Sequence, residues 1–310
     1  MSYPYLFPDV VRIESSGACN FKCRHCSQAQ SKSGRGVMPL PLFDLLVSQL
    51  KKAPRSVRVA VLYHGGEPFL NKNLFYFIDT LKKMGASIKF NSNASLLTLV
   101  LQKEIIKHMD AMDHIVFSFD GNTIEENNYI RVNGDFESDS NNVISLLRLM
   151  EEGGCKARIT VSNVRVCLEE ELDLLYKEQG NVLKTPDYIK ERFFMYPNVL
   201  YETNPAMRWP NYNMQESIYS LRKVDKERSG LCSAFDTITV LSNGDVVPCC
   251  YDINGAVVLG NIQQNSITSI WESATYREFR DRLSRRDLGE LCKNCVLFSN
   301  EYLVQRGENW

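Results

Sequence analysis

The feature that most constrains the fold is a regular alternation of two sequence patterns between residue 10 and about residue 180. Short runs rich in β-branched residues predict strands, and longer segments with apolar residues at helical spacing separate them. Strands that alternate with helices are typical of βα units, which build a parallel sheet. The candidate strands lie at residues 10–14, 57–62, 88–91, 115–119 and 157–161. The sequence therefore predicts an α/β fold.

Segments between these strands carry one apolar face each. Their apolar residues recur three and four positions apart, as they do on one side of an α-helix. Glycines follow two of the segments and commonly end helices, because glycine adopts left-handed backbone angles without strain. The faces are Leu42, Leu45, Leu46 and Leu50, interrupted by Gln49; Leu74, Phe77, Ile78 and Leu81 before Gly85; and Val143, Leu146, Leu147 and Met150 before Gly153 and Gly154. We interpret them as the helical part of a buried core.

Five βα units are too few to close an eight-stranded barrel, and a sixth strand is predicted at residues 193–196. The expected architecture is a partial (β/α)6 barrel of the TIM type with a small cysteine-rich C-terminal domain. Such folds carry their chemistry in the loops after the carboxyl ends of the strands. Residues 185–230 break the repeat with prolines, asparagines and tyrosines. We therefore expect a barrel at 1–200, a bridging segment at 201–230 and a C-terminal domain at 231–310.

Charge and hydropathy argue against several kinds of partner. The 310 residues include 36 basic and 37 acidic side chains, so no strong field attracts nucleic acid or an anionic membrane. No apolar run approaches the roughly 20 residues that span a bilayer, and the N-terminus lacks a secretory pattern. A cytoplasmic location is expected. Thiols stay reduced there, so the ten cysteines are expected to include metal ligands or reactive thiols.

Cys19, Cys23 and Cys26 form a C-x3-C-x2-C arrangement directly after the first predicted strand. Three thiolates can hold three irons of a [4Fe–4S] cluster and leave the fourth iron open to a ligand from outside the protein. A structural zinc ion normally takes four protein ligands, and His25 cannot easily serve between two neighbouring ligands. The spacing therefore favours an iron–sulfur cluster with one open iron.

This arrangement resembles the cysteine motif of the radical S-adenosylmethionine (SAM) superfamily. In that family three cysteines bind the cluster, and the amino and carboxylate groups of SAM chelate the fourth iron. The second predicted strand ends in Tyr63-His64-Gly65-Gly66-Glu67-Pro68, which looks like the family's motif for the methionine amino group. The resemblance implies that Gly65, Gly66 and Glu67 contact SAM.

Later strand ends extend the resemblance. Asn93 stands in Asn91-Ser92-Asn93-Ala94, where the family commonly has Thr-Asn-Gly, so Ala94 departs from the pattern. The stretch Phe117-Ser118-Phe119-Asp120-Gly121 is similar to the Ser-x-Asp-Gly of peptide- and sugar-modifying members. By resemblance, Asn93 and Ser118 are SAM contacts, Arg131 is a candidate for the SAM carboxylate, and Asn163 is a candidate ribose contact.

Cysteines also cluster in the last quarter of the chain. A β-like stretch and the hairpin signal Asn243-Gly244 separate Cys232 from the adjacent Cys249 and Cys250, and Cys292-Lys-Asn-Cys295 comes later. Four thiolates, from Cys232, one of the adjacent pair, Cys292 and Cys295, would complete a metal site with no open position. On spacing alone, zinc and an iron–sulfur cluster remain equally open.

The order Cys-x11-Gly-x4-Cys, then Gly260-Asn261-Ile262, then Cys-x2-Cys resembles the SPASM/twitch extension of radical SAM enzymes. No cysteine follows Cys295, so the resemblance is to the shorter twitch form. It implies one auxiliary [4Fe–4S] cluster, two clusters in all, and Cys249 as the ligand rather than Cys250. Cys250 and Cys167 are then spare thiols that could act chemically, although a buried structural thiol is the commoner role; Cys155 is expected to be buried.

The resemblance also implies a reaction. SAM would be cleaved reductively to a 5′-deoxyadenosyl radical, which takes a hydrogen atom from the substrate. With the auxiliary cluster as electron acceptor, the net result would be dehydrogenation of a sugar- or cyclitol-type small molecule, with flavodoxin or ferredoxin as a low-potential donor. No residue is predicted as the base. One alternative is a peptide maturase that epimerises or crosslinks a ribosomal precursor, which the short segment before residue 10 disfavours; another is a zinc-binding scaffold.

Overall fold

Parallel strands form the centre of the fold. The computed structural model describes residues 6–155, 157–177, 183–224 and 232–305. The barrel strands pair in parallel with their neighbours in the chain. They are β1 (Val10–Ile13), β2 (Val59–Val61), β3 (Ser87–Ser92), β4 (His114–Asp120), β5 (Arg158–Arg165) and β6 (Leu200–Pro205). The predicted α/β fold with a partial barrel is confirmed.

Helices connect these strands and cover one side of the sheet. Leu46, Phe77 and Val143, from three different helices, share one buried core with Ile88 and Phe117 from the strands. The helices are α1 (Leu40–Leu50), α2 (Leu74–Lys83), α3 (Leu99–Lys107), α4 (Ile124–Ile130), α5 (Phe136–Glu152), α6 (Glu169–Lys177) and α7 (Asp187–Phe193). The three predicted apolar faces lie on α1, α2 and α5. Their burial leaves the carboxyl ends of the strands free for a site.

The sixth strand lies later in the chain than predicted, so its placement at residues 193–196 was wrong. Those residues end α7 and form the turn after it, whereas β6 begins at Leu200. Ile189 and Phe193 lie four positions apart and are both buried, so the apolar signal belongs to a helix face. β6 is the edge strand of the sheet and its first side chains are exposed. It therefore lacks the apolar run that marks a buried strand.

The C-terminal part of the chain extends the same sheet. The later strands are β7 (Ser220–Lys223), β8 (Thr237–Val240), β9 (Asp245–Val247), β10 (Gly260–Asn261) and β11 (Glu301–Val304). β8 pairs in parallel with β1, and β9 and β10 add antiparallel strands. Within the described residues the order is β10-β9-β8-β1-β2-β3-β4-β5-β6. The predicted Asn243-Gly244 turn joins β8 to β9, with Gly244 at φ +88°. The cysteine-rich region is thus attached directly to the first barrel strand.

The end of the chain returns to the opposite side of the barrel. Short helices follow the hairpin: α8 (Ile267–Trp271), α9 (Ala274–Ser284), α10 (Glu290–Lys293) and α11 (Val296–Ser299). β11 then pairs antiparallel with β7, and a β-bridge joins Tyr302 to Met207 just after β6. The C-terminal region therefore contacts both ends of the parallel sheet. Among the described helices, none combines the length and apolar character needed to cross a membrane.

Candidate active site

A cavity of about 260 Å³ lies at the carboxyl ends of the barrel strands; we call it the strand-end cavity. Its wall takes residues from the loops that follow β1, β2, β3 and β4, which meet at one edge because the strands are parallel. The predicted site residues on the wall are Cys19, Cys23, Cys26, Gly65, Gly66, Glu67, Asn93, Ser118 and Arg131. The fold thus brings together residues separated by more than 100 positions.

The loop with the first three cysteines is held against the end of α4. Lys22 N–H donates to the Val132 carbonyl at 3.0 Å, and Arg24 N–H donates to the Ile130 carbonyl at 2.9 Å. Burial raises the pKa of the thiols of Cys19, Cys23 and Cys26, in the last case to about 11, because a low-dielectric site disfavours the thiolate. Coordination to a metal removes such a proton. The loop therefore offers three rigidly held sulfur donors facing one cavity.

Gly66 and Glu67 connect this loop to the end of β2. The Glu67 N–H donates to the Ala18 carbonyl at 2.8 Å. A Cβ atom added to Gly66 would lie 2.2 Å from the Ala18 oxygen and 2.4 Å from the Ser16 oxygen. The position therefore requires glycine, because only hydrogen fits between the two backbone segments.

The Glu67 carboxylate is 2% exposed and organises the end of β3. One oxygen accepts from Phe69 N–H at 3.1 Å and Ser92 Oγ at 3.0 Å, and the other accepts from Asn93 N–H at 2.8 Å. Burial raises the pKa of Glu67 to about 7, although these hydrogen bonds act in the opposite direction. Glu67 is thus a buried, prearranged acceptor on the cavity wall.

Ala94, where the sequence departs from the family pattern, adopts a backbone conformation that suits glycine. Ala94 has φ +67° and is fully buried, so it adopts the left-handed conformation that glycine favours. Asn93 donates its side-chain amide to Asn20 Oδ1 at 2.9 Å, which links the turn to the cysteine loop. The turn therefore forms part of the wall of the strand-end cavity.

Asp120 and His25 also line the cavity, and sequence reasoning assigned a role to neither. Arg131 Nη1 lies 2.6 Å from Asp120 Oδ2, and His25 Nε2 lies 3.6 Å from the same oxygen. Burial lowers the pKa of His25. Burial by itself would also lower the pKa of Arg131, but the neighbouring Asp120 carboxylate raises the pKa of Arg131 above its ordinary value. Arg131 is therefore engaged in a buried ion pair, on the same wall as the half-buried Ser118.

Replacing Arg131 with methionine is expected to lower the free energy of unfolding by about 3–5 kcal/mol, because Asp120 would keep a buried charge without its partner. Urea unfolding of matched preparations measures the change. The control is Arg282→Met, since the 45% exposed Arg282 pairs with the 60% exposed Asp287 at 2.8 Å, and exposed pairs contribute about 0–1 kcal/mol. Equal, small losses in both variants would contradict a structural role for the Arg131 pair.

Asn163 lies outside the wall of the strand-end cavity. Its side-chain amide donates to the carbonyls of Phe119 at 3.1 Å and Gly121 at 3.0 Å, and the residue is fully buried. These bonds hold the turn that leads from β4 into α4. Asn163 therefore supports this turn, and its contact with ribose stays a prediction.

A second cavity, of about 370 Å³, adjoins the first; we call it the aromatic cavity. The two share His25, Cys26, Val164 and Trp209. The other wall includes Tyr251 and Tyr302. Tyr251 directly follows Cys249 and Cys250, so the cavity extends from the first cysteine loop toward the C-terminal cysteines. The sequence analysis did not predict a role for these aromatic residues. The one local signal for such a role was the position of Tyr251 directly after the cysteine pair.

The C-terminal cysteines come together between β9 and the α10 region. Burial raises the pKa of all four thiols of Cys232, Cys249, Cys292 and Cys295, and neighbouring thiols raise each pKa further. The pKa reaches about 11 for Cys292 and about 12 for Cys295. Cys250 Sγ lies 3.7 Å from Ser233 Oγ and belongs to the same group. The choice between Cys249 and Cys250 as ligand stays a prediction.

Neither of the two remaining cysteines, Cys155 and Cys167, lines the strand-end cavity or the aromatic cavity. Cys167 is 1% exposed and packs with Tyr302 and Val304, and Cys155 is half-buried against the main core. Both placements fit structural thiols.

Matches to protein-family models show which family contains this arrangement of cysteines and strand-end residues. A family model described as "Radical SAM superfamily" matches residues 13–173, more than half of the chain. The chain belongs to the radical SAM superfamily. A second model, SPASM, described as "Iron-sulfur cluster-binding domain", matches residues 232–296 and spans the C-terminal cysteines. The protein is a radical SAM enzyme of the SPASM type, and its cofactors are SAM and iron–sulfur clusters.

Curated relatives of this radical SAM enzyme span nearly the whole chain. It is 24% identical over 305 residues to the S-adenosyl-L-methionine-dependent 2-deoxy-scyllo-inosamine dehydrogenase of Niallia circulans, covering 97% of this chain and 96% of that protein. It is 22% identical over 282 residues to the GTP 3′,8-cyclase of Sulfurovum sp., covering 83% and 86%. The predicted resemblance to radical SAM enzymes with a SPASM/twitch extension is confirmed.

Solved structures share the fold of this radical SAM enzyme. BtrN in complex with AdoMet and 2-DOIA superposes with a TM-score of 0.60 at 18% identity, covering 98% of this chain and 97% of BtrN. Native anSMEcpe with bound AdoMet and the Cp18Cys peptide gives a TM-score of 0.59 at 18% identity, covering 94% and 86%. Within the described residues, no group of three or more His, Cys, Asp and Glu side chains is spaced for one metal ion.

Proposed function

We propose that this radical SAM enzyme dehydrogenates an alcohol on a sugar- or cyclitol-type small molecule and uses two [4Fe–4S] clusters. One observation carries the proposal: the aromatic cavity runs from Cys26 and His25 on one side to Tyr251 on the other, and Tyr251 directly follows Cys249 and Cys250 in the chain. A substrate in this cavity would have the site of hydrogen abstraction on one side and an electron acceptor on the other. The similarity to the inosamine dehydrogenase over 97% of the chain supports the same reaction class.

The strand-end cavity fits the first cluster and SAM. Cys19, Cys23 and Cys26 would hold three irons, and the close backbone approach at Gly66 fixes the end of β2 against the loop that carries them. When bound, the cluster and SAM supply the 5′-deoxyadenosyl radical. The buried Glu67 carboxylate would accept a hydrogen bond from the amino group of SAM. These residues would bind and orient SAM, and the aromatic cavity would orient the substrate carbon beside it.

The C-terminal thiols fit a cluster with no open position. Cys232, Cys249, Cys292 and Cys295 would provide four sulfur ligands. In the proposed dehydrogenation, the carbon-bound hydrogen atom would go to the deoxyadenosyl group, the hydroxyl proton to a base, and the remaining electron to the auxiliary cluster that these cysteines would hold. A carbonyl group results. A flavodoxin or ferredoxin would return the first cluster to its reduced state.

The test is an anaerobic assay with 2-deoxy-scyllo-inosamine, scyllo-inositol and related polyols deuterated at the carbinol carbon. We expect a carbonyl product, one deuterium in each 5′-deoxyadenosine, and about one 5′-deoxyadenosine per carbonyl. A Cys292→Ala, Cys295→Ala variant is the matched control, since it should still cleave SAM but form no carbonyl. SAM cleavage stimulated by a peptide and by none of the polyols, with solvent deuterium entering the peptide, would instead support a peptide maturase.

A further inference from the structure

A short loop of the C-terminal region forms part of the wall of the strand-end cavity. Residues 252–255, which we call the wall loop, directly follow Cys249, Cys250 and Tyr251. Ile253 lines the cavity beside Gly65, where an added Cβ would lie 3.0 Å from Ile253 Cγ2. His64 Nε2 lies 3.1 Å from the Asp252 carbonyl oxygen. The wall loop therefore touches the SAM-side cavity and is continuous with the C-terminal cysteines.

Arg35 holds the wall loop in this place. Arg35 belongs to the segment between the first cysteine motif and α1, and its side chain is 6% exposed. Its Nη1 donates to the Asn254 carbonyl at 3.1 Å, and its Nη2 donates to the Ile253 carbonyl. Two consecutive carbonyls of the loop thus accept from one guanidinium group, which fixes the backbone on either side of Asn254.

Glu14, at the end of β1, orients Arg35. Arg35 Nε lies 2.9 Å from Glu14 Oε2, and Arg35 Nη2 lies 3.1 Å from Glu14 Oε1. Glu14 is fully buried and also accepts from the N–H and Oγ of Ser242, at 3.0 and 2.9 Å. Burial by itself would raise the pKa of Glu14, but the hydrogen bond from Arg35 brings it below its ordinary value. The planar guanidinium is therefore locked between a carboxylate and the wall loop.

We propose that Arg35 is a positioning residue, which seats Ile253 against SAM and so links SAM binding to the segment that carries Cys249. A lysine in its place would keep the charge, but a point-like ammonium cannot donate in a fork to both carboxylate oxygens and both carbonyls. The effect on SAM binding depends only on membership of the superfamily. The effect on product yield rests on the proposed dehydrogenation.

The first test compares Arg35→Lys with the parent and with Arg222→Lys, all loaded anaerobically. Arg222 also pairs with a carboxylate through a fork, at 3.3 and 2.7 Å from Asp173. In Arg35→Lys we expect the rate of amide hydrogen exchange in a peptide covering residues 249–258 to rise about tenfold. We also expect the Kd for SAM, measured by equilibrium dialysis, to rise about tenfold. A tenfold change is the effect of losing one charge-assisted hydrogen bond. Arg222→Lys should change neither. Values within twofold of the parent in Arg35→Lys overturn the proposal.

A second variant, Ile253→Ala, keeps the Arg35 contacts with backbone carbonyls. If Arg35→Lys does not fold, this variant tests whether the wall loop contributes to SAM binding. It should raise the Kd for SAM while leaving the amide exchange of the loop near the parental rate; an unchanged Kd overturns the proposal. In the polyol assay, Arg35→Lys should also yield fewer carbonyls per 5′-deoxyadenosine. The Kd for SAM and the amide exchange are measured without a polyol. If the parent enzyme forms no carbonyl, the proposed dehydrogenation is refuted, but the test of Arg35 remains valid.

Discussion

Replacing Cys19, Cys23 and Cys26 together with alanine is expected to abolish SAM cleavage and to halve the iron content. The parent should contain about eight irons, from two four-iron clusters, and the variant about four. The physical reason is that the three thiols line one cavity, where they would provide the sulfur ligands of the first cluster. Without them no open iron remains to bind SAM. The measurements are iron and sulfide analysis after anaerobic reconstitution, and release of 5′-deoxyadenosine with a strong reductant.

The matched control for this triple variant is Cys155→Ala. Cys155 is half-buried outside the strand-end cavity, so its removal should leave both iron content and SAM cleavage unchanged. A parent with about four irons would contradict the second cluster. Release of 5′-deoxyadenosine by the triple variant would contradict the assignment of the first site.

The second large effect is expected from Gly66→Ala. The added methyl group would lie 2.2 Å from the Ala18 oxygen, so the two backbone segments must separate by at least 0.8 Å to reach 3.0 Å. Ala18 precedes Cys19, and Gly66 precedes Glu67, so this shift moves a proposed cluster ligand away from a proposed SAM contact. Misplacement of about 1 Å can reduce a rate roughly 10²-fold. We expect that loss in SAM cleavage, with a loss of stability of about 1–3 kcal/mol from overpacking.

Gly36→Ala separates this local effect from the general cost of replacing a glycine. A Cβ atom at Gly36 would meet nothing within 4 Å, so cleavage and unfolding should remain near the parental values. The two variants are compared by 5′-deoxyadenosine release and by urea unfolding. Equal activity in both would show that the close approach at Gly66 does not shape the site.

Much of the site could be predicted because its signals are local. The C-x3-C-x2-C spacing and the Gly65-Gly66-Glu67 stretch are each contained in a few residues, and both follow strands with clear β-branched runs. The α/β class followed from the same alternation. Local signals failed where an element lacks a characteristic pattern. β6 is an exposed edge strand, and Phe193 gave an apolar signal that belongs to a helix.

The amino-acid sequence by itself determined the fold class, the three-cysteine loop and the superfamily, because short-range spacing and periodicity encode them. Only the tertiary structure decided that β8 pairs with β1, that Trp209 and Tyr251 face one cavity, and that Arg35 holds Ile253 in the cavity wall. These contacts join residues 40 to more than 200 positions apart. No local pattern specifies such pairs, since they form only when strand pairing and burial bring distant segments to one edge of the sheet.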